Sequence, residues 1–356
     1  MMEIEEDICC SKTKFIVGKG VLNELTKITE KKVIIFSNKI DKSILNEIVD
    51  DKTYMIEVND GESFKNLNSV IYLIKKFLEI GIDRGDYVVG VGGGSLLDTV
   101  SFASSIYLRG VNLVNVPTTL LGMVDAAIGG KNGVNFENYK NIIGTFYQPR
   151  LIISDLRFLD SLPIEELKKG LAEVIKYALV LDKELYDFLS LNKEEILNKE
   201  ESAIEEVIYR SALNKLKIVK EDEREEKGVR IVLNFGHTIG HAIEAGSNFS
   251  VPHGYAISVG MLCETKIAEE MGISEEGVVE DVVWLLSLYD LPYLPEKLGV
   301  KINLEVALEA ISKDKKVRND YVLMPFPVRI GSWKSAKVPI ETIKGFAKQC
   351  LSGEGE

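Results

Sequence analysis

The sequence predicts an α/β chain: an N-terminal parallel-sheet nucleotide-binding domain followed by an all-helical C-terminal domain, with the active site expected in the cleft between them. Two textures and one motif carry that expectation. Short β-branched runs alternate with amphipathic stretches through the first half, which implies right-handed crossovers and a parallel sheet. From about residue 160 onward, long segments keep apolar residues at a 3.6 period with almost no strand signal. A glycine cluster follows one of the early runs directly.

The strand candidates are 32–37 (KVIIFS), 54–58, 87–91 (YVVGV) and 111–116 (VNLVNV), with a helix over 63–80. Helices are expected over 163–181, 183–191, 194–220 and 254–271, Pro163 serving as a helix start. Domains of 1–160 and 161–356 follow, with no Gly/Ser linker at the join. The length of 356 residues, 46% of them hydrophobic, suffices for two conventional cores.

Composition excludes several classes. Lys and Arg number 43 against 55 Asp and Glu, a net charge of −12. Nucleic acid is therefore not expected as the main partner, although a local basic pocket can still hold a small anion. No apolar run reaches the ~20 residues of a membrane span. The opening MMEIEEDICC is acidic where a secretory signal is basic. A cytoplasmic protein is expected. The four cysteines, Cys9, Cys10, Cys263 and Cys350, lack CxxC spacing, so thiols rather than a disulfide or zinc framework are the expected reading. Gln occurs only at 148 and 349 while Lys and Glu abound, a bias of thermophilic proteins.

Three features point to chemistry. In Gly90-Val91-Gly92-Gly93-Gly94-Ser95, bare backbone at a helix start can approach a pyrophosphate. The motif departs from GxGxxG at Ser95 and lacks an acidic residue some 20 positions on, leaving a non-standard dinucleotide site or a tight packing turn. All three histidines, His237, His241 and His253, fall in one segment, and His237 and His241 share a helix face at i, i+4. That concentration indicates a metal or acid/base site. A divalent metal needs a further ligand, and Glu173 offers one, with Lys176 on the same face at i+3 amid apolar neighbours. A surface ion pair is the plainer alternative for that pair. Finally, Arg109, Lys131, Lys140, Lys215 and Arg230 stand near glycines and asparagines. Each alone reads as a solvated charge, yet 123–134 (MVDAAIGGKNGV) reads as a buried loop gripping something anionic.

With those residues in view, the chain resembles the 3-dehydroquinate synthase family from residue 38 to about 333. The likeness is densest in YLRGVNLVNVPTTLLGMVDAAIGGKNGVN, KNIIGTFYQPR, GLAEVIKYA, DERE and NFGHTIGHAIEA. The resemblance implies NAD and a divalent metal, usually zinc with cobalt possible, the metal held by Glu173, His237 and His253. It implies proton transfer by Glu225 and His241, and a catalytic Lys176. It implies substrate contacts from Arg109, Asp125, Lys131, Asn141, Lys176, Lys215, Arg230, Asn234 and one of Lys315 and Lys316. NAD would be held by Asp60, Gly61, Glu62, Lys65, Gly92, Gly93, Gly94, Asp98, Thr118, Thr119, Lys131, Lys140 and the turn Phe158, Leu159, Asp160, Ser161.

The implied substrate is 3-deoxy-D-arabino-heptulosonate 7-phosphate, whose carboxylate and phosphate call for cations. Oxidation at C5, β-elimination of phosphate, re-reduction and an intramolecular aldol closure would follow with no net redox, making the enzyme a lyase. A homodimer is implied as well. Three departures stand out: Tyr255 where the family usually has Glu two residues after the third histidine, GGGS in place of GGGV, and one extra residue between Glu225 and Arg230. Another sugar-phosphate cyclase, an NAD(P)-dependent polyol or glycerol-phosphate dehydrogenase, and a catalytically dead metal-binding protein are the competing readings.

Overall fold

The computed structural model describes residues 1–8, 11–137, 139–313, 317–318 and 320–352. The chain divides into two compact units, Met1–Leu167 with Lys199–Arg224, and Lys168–Asn198 with Glu225–Glu356. A boundary at 160/161 therefore misses a return: after leaving the first unit, the chain re-enters it for one long helix before crossing back.

The first unit is built on a sheet of strands β1 (Met2–Ile8), β2 (Ser11–Gly18), β3 (Lys32–Ser37), β4 (Thr53–Val58), β5 (Tyr87–Gly92), β6 (Asn112–Pro117) and β9 (Leu151–Asp155). Among the described residues its order is β1-β2-β9-β6-β5-β3-β4. Only β1 runs antiparallel, against β2; the remaining pairs are parallel. Every residue of β3 is buried, as a strand covered on both faces requires. Helix α1 (Leu67–Ile80) is capped by Asn66, whose side chain accepts from the Ser69 N–H, and ends at Gly81. Helix α2 (Gly94–Ile106) leaves β5 with almost no connection. The expected 63–80 helix therefore begins with a separate 3₁₀ turn (Glu62–Phe64) ahead of the capped helix.

Segment 123–134 is not a loop throughout. A short π-helical turn (Gly122–Ala126) leads into a hairpin of β7 (Lys131–Phe136) and β8 (Tyr139–Phe146). Its strands cross so closely at Gly133 and Gly144 that a Cβ on Gly144 would lie 2.0 Å from the Asn132 carbonyl. Beyond β9 comes the one-turn helix α3 (Arg157–Asp160). It is anchored by the buried Asp155, whose carboxylate accepts from Gly20, Leu22 and Arg157.

Helix α4 (Ile164–Val180) carries the chain into the second unit, followed by α5 (Lys183–Leu191) and α6 (Lys193–Leu197). The expected 194–220 helix is two helices. Lys199 adopts a left-handed backbone (φ 58°) that ends α6 and allows α7 (Glu201–Glu221) to start anew in the first unit. The second unit continues with α8 (His237–Gly246), α9 (His253–Glu270), α10 (Val278–Leu288) and α11 (Leu304–Ser312).

The second unit is helical but not purely so. Strands β10 (Val317–Arg318), β11 (Tyr321–Arg329) and β12 (Ser332–Pro339) form an antiparallel sheet before α12 (Ile340–Ser352). Pro325 and Pro327 disguise β11 in the sequence. They are tolerated because, among the described residues, β10 pairs only with Tyr321 and Val322, which leaves the rest of that side without a strand partner. This sheet, α8, α9, α11 and α12 share one apolar core.

Cys263 in α9 and Cys350 in α12 are disulfide-bonded with Cα atoms 6.1 Å apart, contrary to the expectation of free thiols. No local spacing signals the bond, because helix packing joins residues 87 apart in sequence. Cys9 and Cys10 lie outside the described residues. Among the described residues, no helix is long and apolar enough to cross a membrane. Closing so long a loop typically stabilises by about 2–4 kcal/mol. Cys350→Ser should therefore unfold at lower denaturant concentration than the oxidised parent and match the reduced parent; identical midpoints for all three would show the bond to be without effect.

Candidate active site

In the first unit, the expected cofactor residues of the 60–65 loop, the glycine turn and the 118–119 turn gather where the order of the sheet reverses, beyond the C-terminal ends of β3 to β6. The 158–161 turn instead follows β9. A Cβ on Gly92 would meet Leu96 Cδ1 at 2.9 Å and Asp60 Oδ2 at 3.3 Å, so the turn must stay bare. The Gly93 N–H donates to Asp60 Oδ2 (3.2 Å), and the Thr118 N–H donates to the Gly92 carbonyl (3.1 Å). Thr119 Oγ1 accepts from the Gly122 N–H. Glu62 accepts from Ser95 Oγ and Asn135 Nδ2, which ties the departing Ser95 of the glycine motif to the loop after β4. Burial pushes the Glu62 carboxyl up, but those hydrogen bonds and the charges of Lys65 and Lys140 leave it below the ordinary range.

Lys65 pairs with Asp98 on α2. Burial raises the Asp98 carboxyl against the opposing pull of Lys65 and Lys215. Lys215, buried on α7, donates to both the Oδ1 and the backbone carbonyl of Asp125 (2.6 Å each). Two residues expected to bind substrate thus meet each other. Lys131 and Asn141 lie exposed on the β7–β8 hairpin, where the Asn141 N–H donates to Asn135 Oδ1. Phe158 and Leu159 are buried while Asp160 and Ser161 are exposed, on a turn whose carbonyls take hydrogen bonds from Lys199. Arg109 is not brought to the glycine turn. It is exposed in the turn after α2, at the N-terminal end of β6 and so at the opposite end of the parallel strands.

The second unit gathers all three imidazoles. His237 and His253 are the first residues of α8 and α9, and Glu173 lies within α4. Glu173 Oε1 is 3.4 Å from His237 Nε2 and 3.2 Å from His253 Nε2. The three ligand atoms lie within 4.8 Å of one another, a donor set of one carboxylate and two imidazoles that suits a divalent cation such as zinc. The rings of His237 and His253 have centroids 5.3 Å apart. His237 Nδ1 sits 3.0 Å from the Phe235 carbonyl, which fixes a proton on Nδ1 and leaves Nε2 facing Glu173. His253 Nδ1 faces Glu244 Oε1 at 3.5 Å. Glu244 Oε2 lies 4.0 Å from His241 Nε2, and the His241 ring is half exposed.

The other carboxylate oxygen of Glu173 contacts Lys176, which is buried and donates to the Leu233 carbonyl (2.8 Å). Glu173 has no exposed surface. Burial alone would raise its carboxyl; the Lys176 and His237 charges outweigh that and hold it well below the ordinary range. The two imidazoles shift in opposite directions. Burial lowers His237 despite Glu173 beside it, with Lys176 adding to the effect. Burial also opposes the charged form of His253, yet Glu173 and Glu244 on its two nitrogens raise it to about 10.

Arg230 is buried and Asn234 half-buried at the two ends of a 3₁₀ turn (Arg230–Asn234) that leads to His237. Glu225 is exposed, with φ 61°, in the connection after α7. Lys315 and Lys316 lie outside the described residues. Sequence reasoning missed Glu244, although its place three residues after His241 puts it on the same helix face. Tyr255 packs against the apolar core of the unit, where the family usually has a carboxylate.

A 2-deoxy-scyllo-inosose synthase structure, complexed with carbaglucose-6-phosphate, NAD+ and Co2+, is 25% identical with TM-score 0.84, covering 98% of this chain and 100% of that one. The 2-epi-5-epi-valiolone synthase of Streptomyces hygroscopicus, with NAD+ and Zn2+ bound, is 26% identical with TM-score 0.83, covering 99% and 98%. Fold and site thus define a sugar-phosphate-cyclase-like protein. The chain belongs to the 3-dehydroquinate synthase family: its residues 55–169 match the "3-dehydroquinate synthase N-terminal" model and 170–317 the C-terminal one. The 3-dehydroquinate synthase of Saccharolobus solfataricus is 65% identical over 99% of both chains. That of Sulfurisphaera tokodaii is 61% identical over 99% of this chain and 100% of its own.

A metal held by Glu173, His237 and His253 would have to displace the proton that His253 holds between two carboxylates, so its binding would weaken as pH falls. Zinc or cobalt affinity should rise roughly tenfold per pH unit between pH 6.5 and 8.5, in step with one proton released. Titrations showing a constant affinity over that range would contradict the placement of His253.

Proposed function

We propose that the chain converts 3-deoxy-D-arabino-heptulosonate 7-phosphate to 3-dehydroquinate and phosphate, as an NAD- and metal-dependent lyase. One observation carries the reading: a fully buried carboxylate, Glu173, shared by two imidazoles and an ammonium in a chain of this family. Glu173, His237 and His253 would hold the metal, and zinc is the ion that donor set suits best. The glycine turn with Asp60, Gly61, Glu62, Lys65, Asp98, Thr118 and Thr119 would hold NAD, joined by Lys131, Lys140 and the 158–161 turn. When bound, NAD supplies a reversible hydride acceptor and the metal a Lewis acid at the oxygen being oxidised.

The chain's own groups supply positioning and proton movement. Lys176, fixed by Glu173 and the Leu233 carbonyl, presents a buried ammonium for a substrate oxygen. His241 has a half-exposed imidazole outside the Glu173, His237, His253 set and would take the proton of the C5 hydroxyl. Glu225 is the further proton-transfer group. Lys131, Lys215, Arg230 and Lys316 would counter the carboxylate and phosphate, with Asp125, Asn141 and Asn234 on hydroxyls. Holding the substrate in one orientation favours intramolecular aldol closure over side reactions.

A cytoplasmic location and a homodimer are part of this proposal. Disulfides do occur in cytoplasmic proteins of hyperthermophiles, and the Lys- and Glu-rich composition accords with such a source. Exposed Phe136, Tyr139, Ile142 and Phe146 on one hairpin supply an apolar surface for self-association.

Purified protein should release phosphate from the heptulosonate phosphate, lose that activity with a chelator and regain it with zinc or cobalt, with no lasting rise in reduced-nicotinamide absorbance. Stoichiometric NADH would identify a dehydrogenase instead, and turnover of a heptulose phosphate lacking the carboxylate in preference would identify another cyclase. Lys176→Ala should cut turnover on the order of 100-fold while NAD affinity, read by fluorescence titration, stays within a fewfold. Undiminished turnover would remove Lys176 from the site.

A further inference from the structure

Helices α8 and α9 each begin with a histidine of the cluster, and they pack antiparallel at very short range. Gly236 lies against Met261 and Gly260, and Gly240 lies against Ala256 and Ile257. A Cβ on Gly260 would come within 2.0 Å of the Gly236 carbonyl. Gly236 is the residue before α8, in a left-handed conformation (φ 79°). Such a helix start has a defect: its N-cap residue has no side chain to accept from the free N–H groups of the first turn.

The missing cap comes from the other helix. Glu264, three turns into α9 and without exposed surface, accepts from the Gly236 N–H through Oε2 (2.7 Å) and from the Ile239 N–H through Oε1 (3.1 Å). In a capping box the N-cap and N3 residues satisfy each other's N–H groups with their own side chains. Here one carboxylate from a neighbouring helix satisfies both. His237 is the N1 residue, between the two capped positions, so its backbone is fixed on either side.

We infer that Glu264 is a positioning residue for the metal centre, holding His237 so that its Nε2 faces Glu173 and His253. The inference rests on the metal reading above. It assigns to Glu264 no contact with metal or substrate; its carboxylate acts through the backbone of α8.

The test is cobalt binding by the full chain, followed by the visible absorption of the bound ion and by competition with a chromophoric chelator, at a temperature where circular dichroism shows every variant folded. The parent should bind Co2+. Glu264→Gln keeps the size but offers one acceptor in place of two, and should bind about 10- to 100-fold more weakly with an altered ligand-field spectrum. Leu285→Ala, a buried truncation in α10, should lower the melting temperature yet leave cobalt affinity and spectrum unchanged, which separates positioning from general loss of stability. If Glu264→Gln does not fold, Glu264→Asp, which retains the charge but falls short of the turn, should show the same loss. Parental affinity and spectrum in whichever of these two variants folds would overturn the inference while leaving the metal reading intact. No cobalt binding by the parent would overturn both.

Discussion

A carboxylate without water contact is costly unless opposite charge and hydrogen bonds compensate it. Glu173 meets that requirement on both oxygens, with Lys176 on one and two imidazoles on the other. The same arrangement makes the ammonium of Lys176 tolerable in the interior, since it is shared between Glu173 and the Leu233 carbonyl. Four elements depend on this exchange of charge: α4 brings the carboxylate and the ammonium, the 230–234 turn brings the carbonyl, and the starts of α8 and α9 bring the rings. Remove one partner and the rest hold an uncompensated charge. The cluster therefore couples the packing of the second unit to the chemistry of the site.

Close helix approach is what lets two ring-bearing helix starts face one carboxylate. Gly236, Gly240 and Gly260 remove the side chains that would hold α8 and α9 apart, and Gly254 does the same for α9 against α4, where a Cβ would lie 2.2 Å from the Lys169 carbonyl. In the first unit, small residues serve a different end. Gly92 and Gly93 leave backbone open at the switch point of the sheet, while Asp60, Glu62 and Asp98 occupy the rim. Those carboxylates are held by N–H groups, a hydroxyl, an amide and Lys65, so the turn is organised before any ligand arrives.

Much of this was legible in the chain of letters, and the failures have physical causes. Strands such as 32–37 and 87–92 are continuous apolar runs, and the α4, α5 and α9 helices keep a 3.6 period, so local pattern sufficed. The histidine concentration and the Glu173–Lys176 spacing drew attention to residues that the fold brings together, because few alternatives existed. What local pattern does not encode is tertiary. The Cys263–Cys350 bond joins two helices far apart in sequence, the break at Lys199 rests on one left-handed residue, and β11 hides behind two prolines that only an open sheet edge permits. Arg109 was grouped with other cations by residue type, and the direction of α2 carries it to the opposite end of the parallel strands. The pairing of Lys215 with Asp125 was likewise invisible, since 90 residues separate them.

The substitution at position 255 shows how the cluster absorbs a departure from its family. A carboxylate there would sit on the same helix as His253, one turn away at most. Tyr255 instead turns into the apolar core. A second carboxylate still faces the outer nitrogen of His253, but it comes from Glu244 on α8. Ring orientation at His253 thus depends on the registry of α8 against α9 more than on the local sequence of α9. The same registry brings the ring of His241 to a centroid distance of 6.1 Å from that of His253, while Glu244 reaches His241 within α8 at i, i+3. A change of one residue in the α8 face presented to α9 would turn Glu244 about 100° around the α8 axis and take its carboxylate away from His253.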